Sequence, residues 1–194
     1  MTDQRQITGF ADRLFHAIEQ SHARALWFLA LLGCALFIPG FATLQPMDRD
    51  EPRFAQASKQ MLESRDFVDI RFQDEARHKK PVGIYWLQAA SVALGDAAGV
   101  EAARTQIWLY RLPSLIGAIL SLLATYWAAL AFLTRRSAFL AAVLFGATLL
   151  IGVEARLAKT DALLCAVSVA ALGAFGHALA ASIRGAVLSQ RVVL

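Results

Sequence analysis

A chain of 194 residues that is 57% hydrophobic, with a mean hydropathy of +0.49, exceeds the roughly 45–50% apolar content of soluble domains and points to a bilayer as its solvent. The formal net charge is only +4, and without interleaved basic and aromatic residues it excludes nucleic acid as a partner. Cys34 and Cys165 fall inside apolar runs, with no ligand spacing and no neighbouring histidine, and read as packing residues. Residues 1–24 come first in chain order and carry Phe10, Leu14, Phe15 and Ile18 at helical spacing beside Arg13, Glu19 and Arg24. This is the pattern of a cytoplasmic amphipathic leader lying in the membrane interface. A span needs about 20 apolar residues, and the runs at 25–44, 112–133, 138–153 and 162–183 reach or approach that length. The first is too long for a signal peptide and lacks a small-x-small cleavage site. The third is short enough to require tilting or extension through its flanks.

Arginines in short flanks set orientation, because they are retained in the cytoplasm. Arg13 and Arg24, Arg135 and Arg136, and Arg184 and Arg191 all fall on one side if the amino terminus and the 184–194 tail are cytoplasmic. The opposite, extracytoplasmic side then receives the long 45–111 loop and the 154–161 connection, so the charged segments 48–53 and 154–161 are expected to converge there. The loop carries two helix signals. Asp50 or Glu51 can cap the first, Pro52 suits its opening helical position, and Phe54, Ala57 and Met61 form its apolar stripe. The second starts at Pro81 in "PVGIYWLQAASVAL", apolar nearly all round with Tyr85 and Trp86 suited to the interface, and is too short for a span. Between them "FVDIRF" at 67–72 alternates as a short extended segment does.

Clusters in these segments carry the chemistry, each with a plain structural alternative. Asp48, Asp50, Glu51 and Arg53 either complement a helix dipole, at about 0.3–1 kcal/mol per group, or supply a carboxylate base that Arg53 orients or complements as a phosphate ligand. Lys79 and Lys80 are either a solvated charge run or part of an anion site at a helix amino terminus, where the natural anion is a lipid phosphate. His78 with Asp74 or Glu75 makes only a weak metal pair, lacking a second histidine. Arg111 precedes the second span, and Glu154, Arg156, Lys159 and Asp161 separate the third and fourth. Asp161 is followed at once by "ALLCAVSVAALGAF" and so sits at the edge of hydrocarbon, where an ionisable group is costly unless it is paired or functional. His177, deep in the last span, reads as a satisfied packing residue.

The run "DRDEPRFAQASKQMLESRDFVDIRFQDEARHKKPVGIYW", with "YRLPSLIGA" at 110–118 and "ARLAKTDALL" at 155–164, resembles the membrane glycosyltransferases related to protein O-mannosyltransferases and to the lipid A aminoarabinose transferase. The shared pattern is Asp-Glu-x-Arg-aromatic-Ala, matched by Asp50, Glu51, Arg53, Phe54 and Ala55, then Lys80-Pro81 and an aromatic-rich helix with Tyr85 and Trp86. The resemblance covers about residues 25–175. It implies an all-α polytopic membrane protein of the GT-C type, with about four transmembrane helices and interfacial helices in the first extracytoplasmic loop. Such enzymes normally have ten or more spans and a soluble carboxy-terminal domain, so the resemblance is to their amino-terminal portion. It further implies a transferase in the bacterial cytoplasmic membrane, with its active site facing the periplasm. The donor would be an undecaprenyl-phosphate-linked sugar and the acceptor a lipid or protein hydroxyl or phosphate, with membrane lipids around it, no certain cofactor, and room for a divalent metal. By matching position, Asp50, Glu51 and Asp161 would be the catalytic carboxylates, and Arg53, Lys80, Arg111 and Arg156 would hold the donor phosphate. A transporter or flippase, with Asp161 and Arg156 lining its path, and a small non-catalytic membrane partner are the competing classes.

Overall fold

The computed structural model describes residues 9, 12, 13, 15, 16, 18–47 and 49–183. Asp48, Phe10 and Leu14 of the leader, and the 184–194 tail with Arg184 and Arg191 lie outside the described residues. The described part is mostly helical: α1 His22–Phe37, α2 Asp50–Ser64, α3 Gly83–Ala97, α4 Ile107–Ala129, α5 Arg135–Gly146, α6 Leu149–Glu154 and α7 Asp161–Ile183. A two-residue-stranded hairpin, β1 Arg71–Phe72 and β2 Glu75–Ala76, lies between α2 and α3, and a 3₁₀ turn, Ala103–Thr105, precedes α4. Helices α4 and α7 are long and apolar enough to cross a membrane.

Two of the four expected spans are shorter than the apolar runs that suggested them. The 25–44 run is helical only to Phe37, because Pro39 cannot continue the helix and Gly40 adopts φ +80°, a left-handed conformation suited to glycine. The 138–153 run divides into α5 and α6. Thr148 leaves the helix at ψ 138° and bonds its hydroxyl to the Phe145 carbonyl at 2.7 Å. Gly146 and Thr148 are both poor helix formers, so the break falls where propensity is weakest.

The long helices pack through small residues. The buried positions of α7 are Ala162, Ala166, Gly173, Gly176 and Ala180, which let the α4 backbone approach closely. A Cβ at Gly117 of α4 would lie 2.7 Å from the Leu163 backbone, and one at Gly173 would lie 2.5 Å from Trp127. Ser121 bonds across to the Ala162 carbonyl at 3.2 Å, and His177 meets the Trp127 carbonyl at 2.8 Å, so this histidine is satisfied as expected. Pro113 lies inside α4 and removes the N–H that would bond the Leu109 carbonyl. The Ser91 hydroxyl of α3 supplies that bond instead at 2.6 Å.

The second long helix starts earlier than the expected 112–133 span, since α4 begins at Ile107 and takes in Arg111. The expected 45–111 loop is thus reduced to 45–106 and folds as a small layer on these helices. Helix α2 buries Phe54, Ala57 and Met61, the expected stripe, together with Ser58, and ends where Arg65 turns left-handed at φ 58°. Its face meets α3, with Phe54 stacked on Tyr85 at 5.3 Å and Ser58 bonded to Gln88 at 2.7 Å. Gln60 holds the hairpin by donating to the Gln73 carbonyl and accepting from the Gln73 N–H. The extended segment expected at 67–72 is a strand only at its last two residues. Asp66 accepts from the N–H groups of Val68 and Asp69, which draws the preceding backbone into a turn.

Candidate functional site

The first turn of α2 places two adjacent carboxylates in opposite surroundings. Glu51 is fully buried, and its Oε1 accepts from Arg111 Nε at 2.7 Å and from the Ala158 N–H at 2.9 Å. Its Oε2 accepts from Arg111 Nη2 at 3.2 Å. Arg111, also fully buried, donates through Nη1 to the carbonyls of Phe41 and Leu44 at 2.9 and 2.8 Å. Both charges are thus paired and hydrogen-bonded, the condition under which buried ions are tolerated. The knot joins the end of the α1 connection, the start of α2, the body of α4 and the chain before α7. It carries out the expected convergence, since a carboxylate of segment 48–53 bonds the backbone of segment 154–161.

Asp50 sits one residue earlier, with its side chain 46% exposed and bonded to Arg53 at 3.4 Å. Arg53 lines a cavity of about 150 Å³ with Phe72, Glu75, Arg77 and Lys79. Arg77 was not singled out by sequence, although it opens the basic run that ends at Lys80. Its guanidinium lies 5.3 Å from the Phe54 ring centroid and its Nε donates to the Tyr85 hydroxyl at 3.2 Å, so the α2–α3 interface fixes its position. Lys80 is exposed just before Pro81 and does not line this cavity; the adjacent Lys79 does.

The remaining candidates sit in the connection before α7. Arg156 donates to the carbonyls of Leu36, Pro39 and Gly152, so it closes the carboxy-terminal end of α1, where the helix dipole favours a cation. Lys159 pairs with Glu154 at 3.3 Å, and its carbonyl accepts from Ser114. Asp161 is exposed in the first turn of α7. The structure therefore joins Glu51, Arg111 and the Ala158 backbone directly and groups Arg53 with Arg77 and Lys79. Arg156 is held on a separate set of carbonyls. His78 approaches Asp69 at 3.8 Å rather than pairing with Asp74 or Glu75, and among the described residues no three His, Cys, Asp or Glu side chains gather as a metal site. Cys34 and Cys165 are unbridged and half-buried.

This arrangement offers a carboxylate whose backbone is fixed by its buried neighbour, beside cations able to receive an anion. Glu51 has its oxygens committed to three donors and serves as the anchor. Asp50 has one face toward solvent and Arg53 beside it, the geometry of a group that can take a proton from a bound hydroxyl. Comparison with family models, curated proteins and solved structures gives no match to this chain.

Proposed function

We propose that the chain is part of a membrane glycosyltransferase that moves a sugar from a polyprenyl-phosphate-linked donor to an acceptor at the extracytoplasmic face. The observation that carries this reading is the Glu51–Arg111–Ala158 knot. It fixes Asp50 beside the ends of two helices of spanning length, next to a cavity where three cations, Arg53, Arg77 and Lys79, face one carboxylate, Glu75. The outward side chains of α7 agree with a lipid surrounding: Leu172, Phe175 and Ile183 are 70%, 69% and 75% exposed, more apolar surface than water-facing proteins usually display.

In this reading Asp50 accepts the proton of the acceptor hydroxyl as that oxygen attacks the anomeric carbon. The carbon–oxygen bond to the lipid phosphate breaks with its electron pair going to the phosphate, and the anomeric configuration inverts. Arg53, with Arg77, Lys79 and the nearby Lys80, neutralises the charge that grows on the leaving phosphate. Glu51 and Arg111 position Asp50 and touch no substrate. The donor already carries an activated phosphate, so a nucleotide site is not needed. The test is sugar transfer in vesicles by the complete enzyme that carries this chain, supplied with a polyprenyl-phosphate sugar or, in parallel, a nucleotide sugar. Transfer from the lipid-linked donor alone is expected; transfer only from the nucleotide sugar, or none from either, would overturn the reading.

A further inference from the structure

The break between α5 and α6 leaves an apolar groove of about 320 Å³, within the roughly 300–1,000 Å³ of small-ligand sites. Phe37, Leu44, Leu149 and Val153 wall it, and Leu149, 84% exposed, stands at its mouth. Among the described residues, two polar side chains line it. Thr148 spends its hydroxyl on the Phe145 carbonyl, and Arg156 sits beside Gly152. No carboxylate of the described residues pairs with Arg156; its partners are the carbonyls of Leu36, Pro39 and Gly152. A helix carboxy terminus carries about half an elementary negative charge, so the guanidinium keeps net positive charge beside a hydrocarbon slot.

We propose that this groove is a binding site for an anionic lipid, with one acyl chain between α1 and α6 and the phosphate on Arg156. The chemistry of the lining selects that occupant. A lone cation over a hydrocarbon slot complements an amphiphile with an anionic head. A docking peptide would bring backbone donors and acceptors, and a slot walled by apolar side chains would leave them unsatisfied. Gly152 contributes by omission, since the absent side chain leaves room next to Arg156 for the phosphate. The site is separate from the cavity at Arg53, and its occupation does not depend on sugar transfer.

The test is native mass spectrometry of the full chain released from detergent, titrated separately with dioleoylphosphatidylglycerol, dioleoylphosphatidylcholine and inorganic phosphate. Phosphatidylglycerol should bind about tenfold more tightly than phosphatidylcholine, whose choline ammonium offsets its own phosphate and would stand near a second cation, and phosphate alone should not be retained. A Cβ at Gly152 meets only Arg156 Nη1 at 3.6 Å, an ordinary contact. Gly152→Leu therefore fills the groove without a backbone clash, improves local helix propensity, and should weaken phosphatidylglycerol binding about fivefold or more as the slot becomes overfilled. Arg156→Gln should abolish the preference between the two lipids. That variant also removes the closure of α1, so Gly152→Leu carries the test if it fails to fold. Equal affinity for the two lipids, or unchanged binding by Gly152→Leu, would overturn the proposal. So would a dimer that Gly152→Leu dissociates while lipid binding persists, since the groove would then hold a second copy.

Discussion

Neutralising Glu51 leaves the Arg111 guanidinium buried with only carbonyls for company, because both side chains are 0% exposed. Breaking a buried pair from one side typically costs about 3–5 kcal/mol, mostly the penalty of the stranded charge. Glu51→Gln should therefore lower the melting temperature in detergent sharply. Arg111→Lys should do likewise, since an ammonium cannot reproduce a two-pronged bond to the carboxylate together with two carbonyl contacts. A melt indistinguishable from the native chain would show the knot to be dispensable. Asp66 gives a second residue-scale test. The N–H groups of Val68 and then Asp69 hold its carboxyl below the usual carboxylate value, against a small opposing effect of burial. A depressed folded pKa means that the turn's stabilisation is present above the unfolded value of about 3.9 and is lost as pH falls through the folded one. Amide exchange at Val68 and Asp69 should accelerate on acidification below that range, and should be insensitive to pH there, beyond the intrinsic exchange chemistry, in Asp66→Asn.

Pro113 and Ser91 form a matched pair between elements: the proline withholds a donor from the Leu109 carbonyl and the serine of α3 supplies one. Ser91→Ala should cost about 1–3 kcal/mol, the penalty of an unsatisfied buried acceptor. In a Pro113→Ala background, where the helix can make its own bond, the same change should cost much less. Additive losses in this double-mutant cycle would contradict the pairing. The same pair explains what was legible in the sequence. Stripe periodicity found α2, because Phe54, Ala57 and Met61 repeat at helical spacing, and apolar length found α4 and α7. Hydropathy could not find the division of 138–153, since Ala147 and Leu149 are as apolar as a span requires and only Gly146 and Thr148 mark the exit. It also ran the first span past Pro39 and Gly40, signals that local chain chemistry offered and average hydropathy hid. In the site, the charge patterns named segments that the structure brings into contact. Partner choice across 60 residues, Glu51 with Arg111, is decided by tertiary packing and has no local signal. Arg77 was passed over for the same reason: its place depends on Phe54 and Tyr85 meeting across two helices.

On the scale of the whole molecule, close contact of α4 with α7 and the knot above it make one rigid platform from segments distant in sequence. If that platform faces outward, as the flanking arginines imply, a cysteine placed at exposed Ser64, in a chain with Cys34 and Cys165 replaced by alanine, should react with an impermeant thiol reagent on intact cells. Reaction only after the cells are broken would invert the orientation and remove the extracytoplasmic reaction with it. The central claim is a division of labour within one turn of helix: Glu51 holds the platform and Asp50 does the chemistry. The most direct test is sugar transfer per folded molecule by the complete enzyme carrying Asp50→Asn, with its melting temperature measured alongside. Asp50 does not cap α2 as the sequence suggests, because the N-cap is Arg49 and Asp50 is the first helical residue. Asparagine keeps the size of its side chain, so the melt should stay close to native, while loss of a general base should slow transfer about 10²–10⁴-fold. Native turnover by Asp50→Asn would contradict the account and leave the carboxylate as nothing more than favourable charge at a helix end.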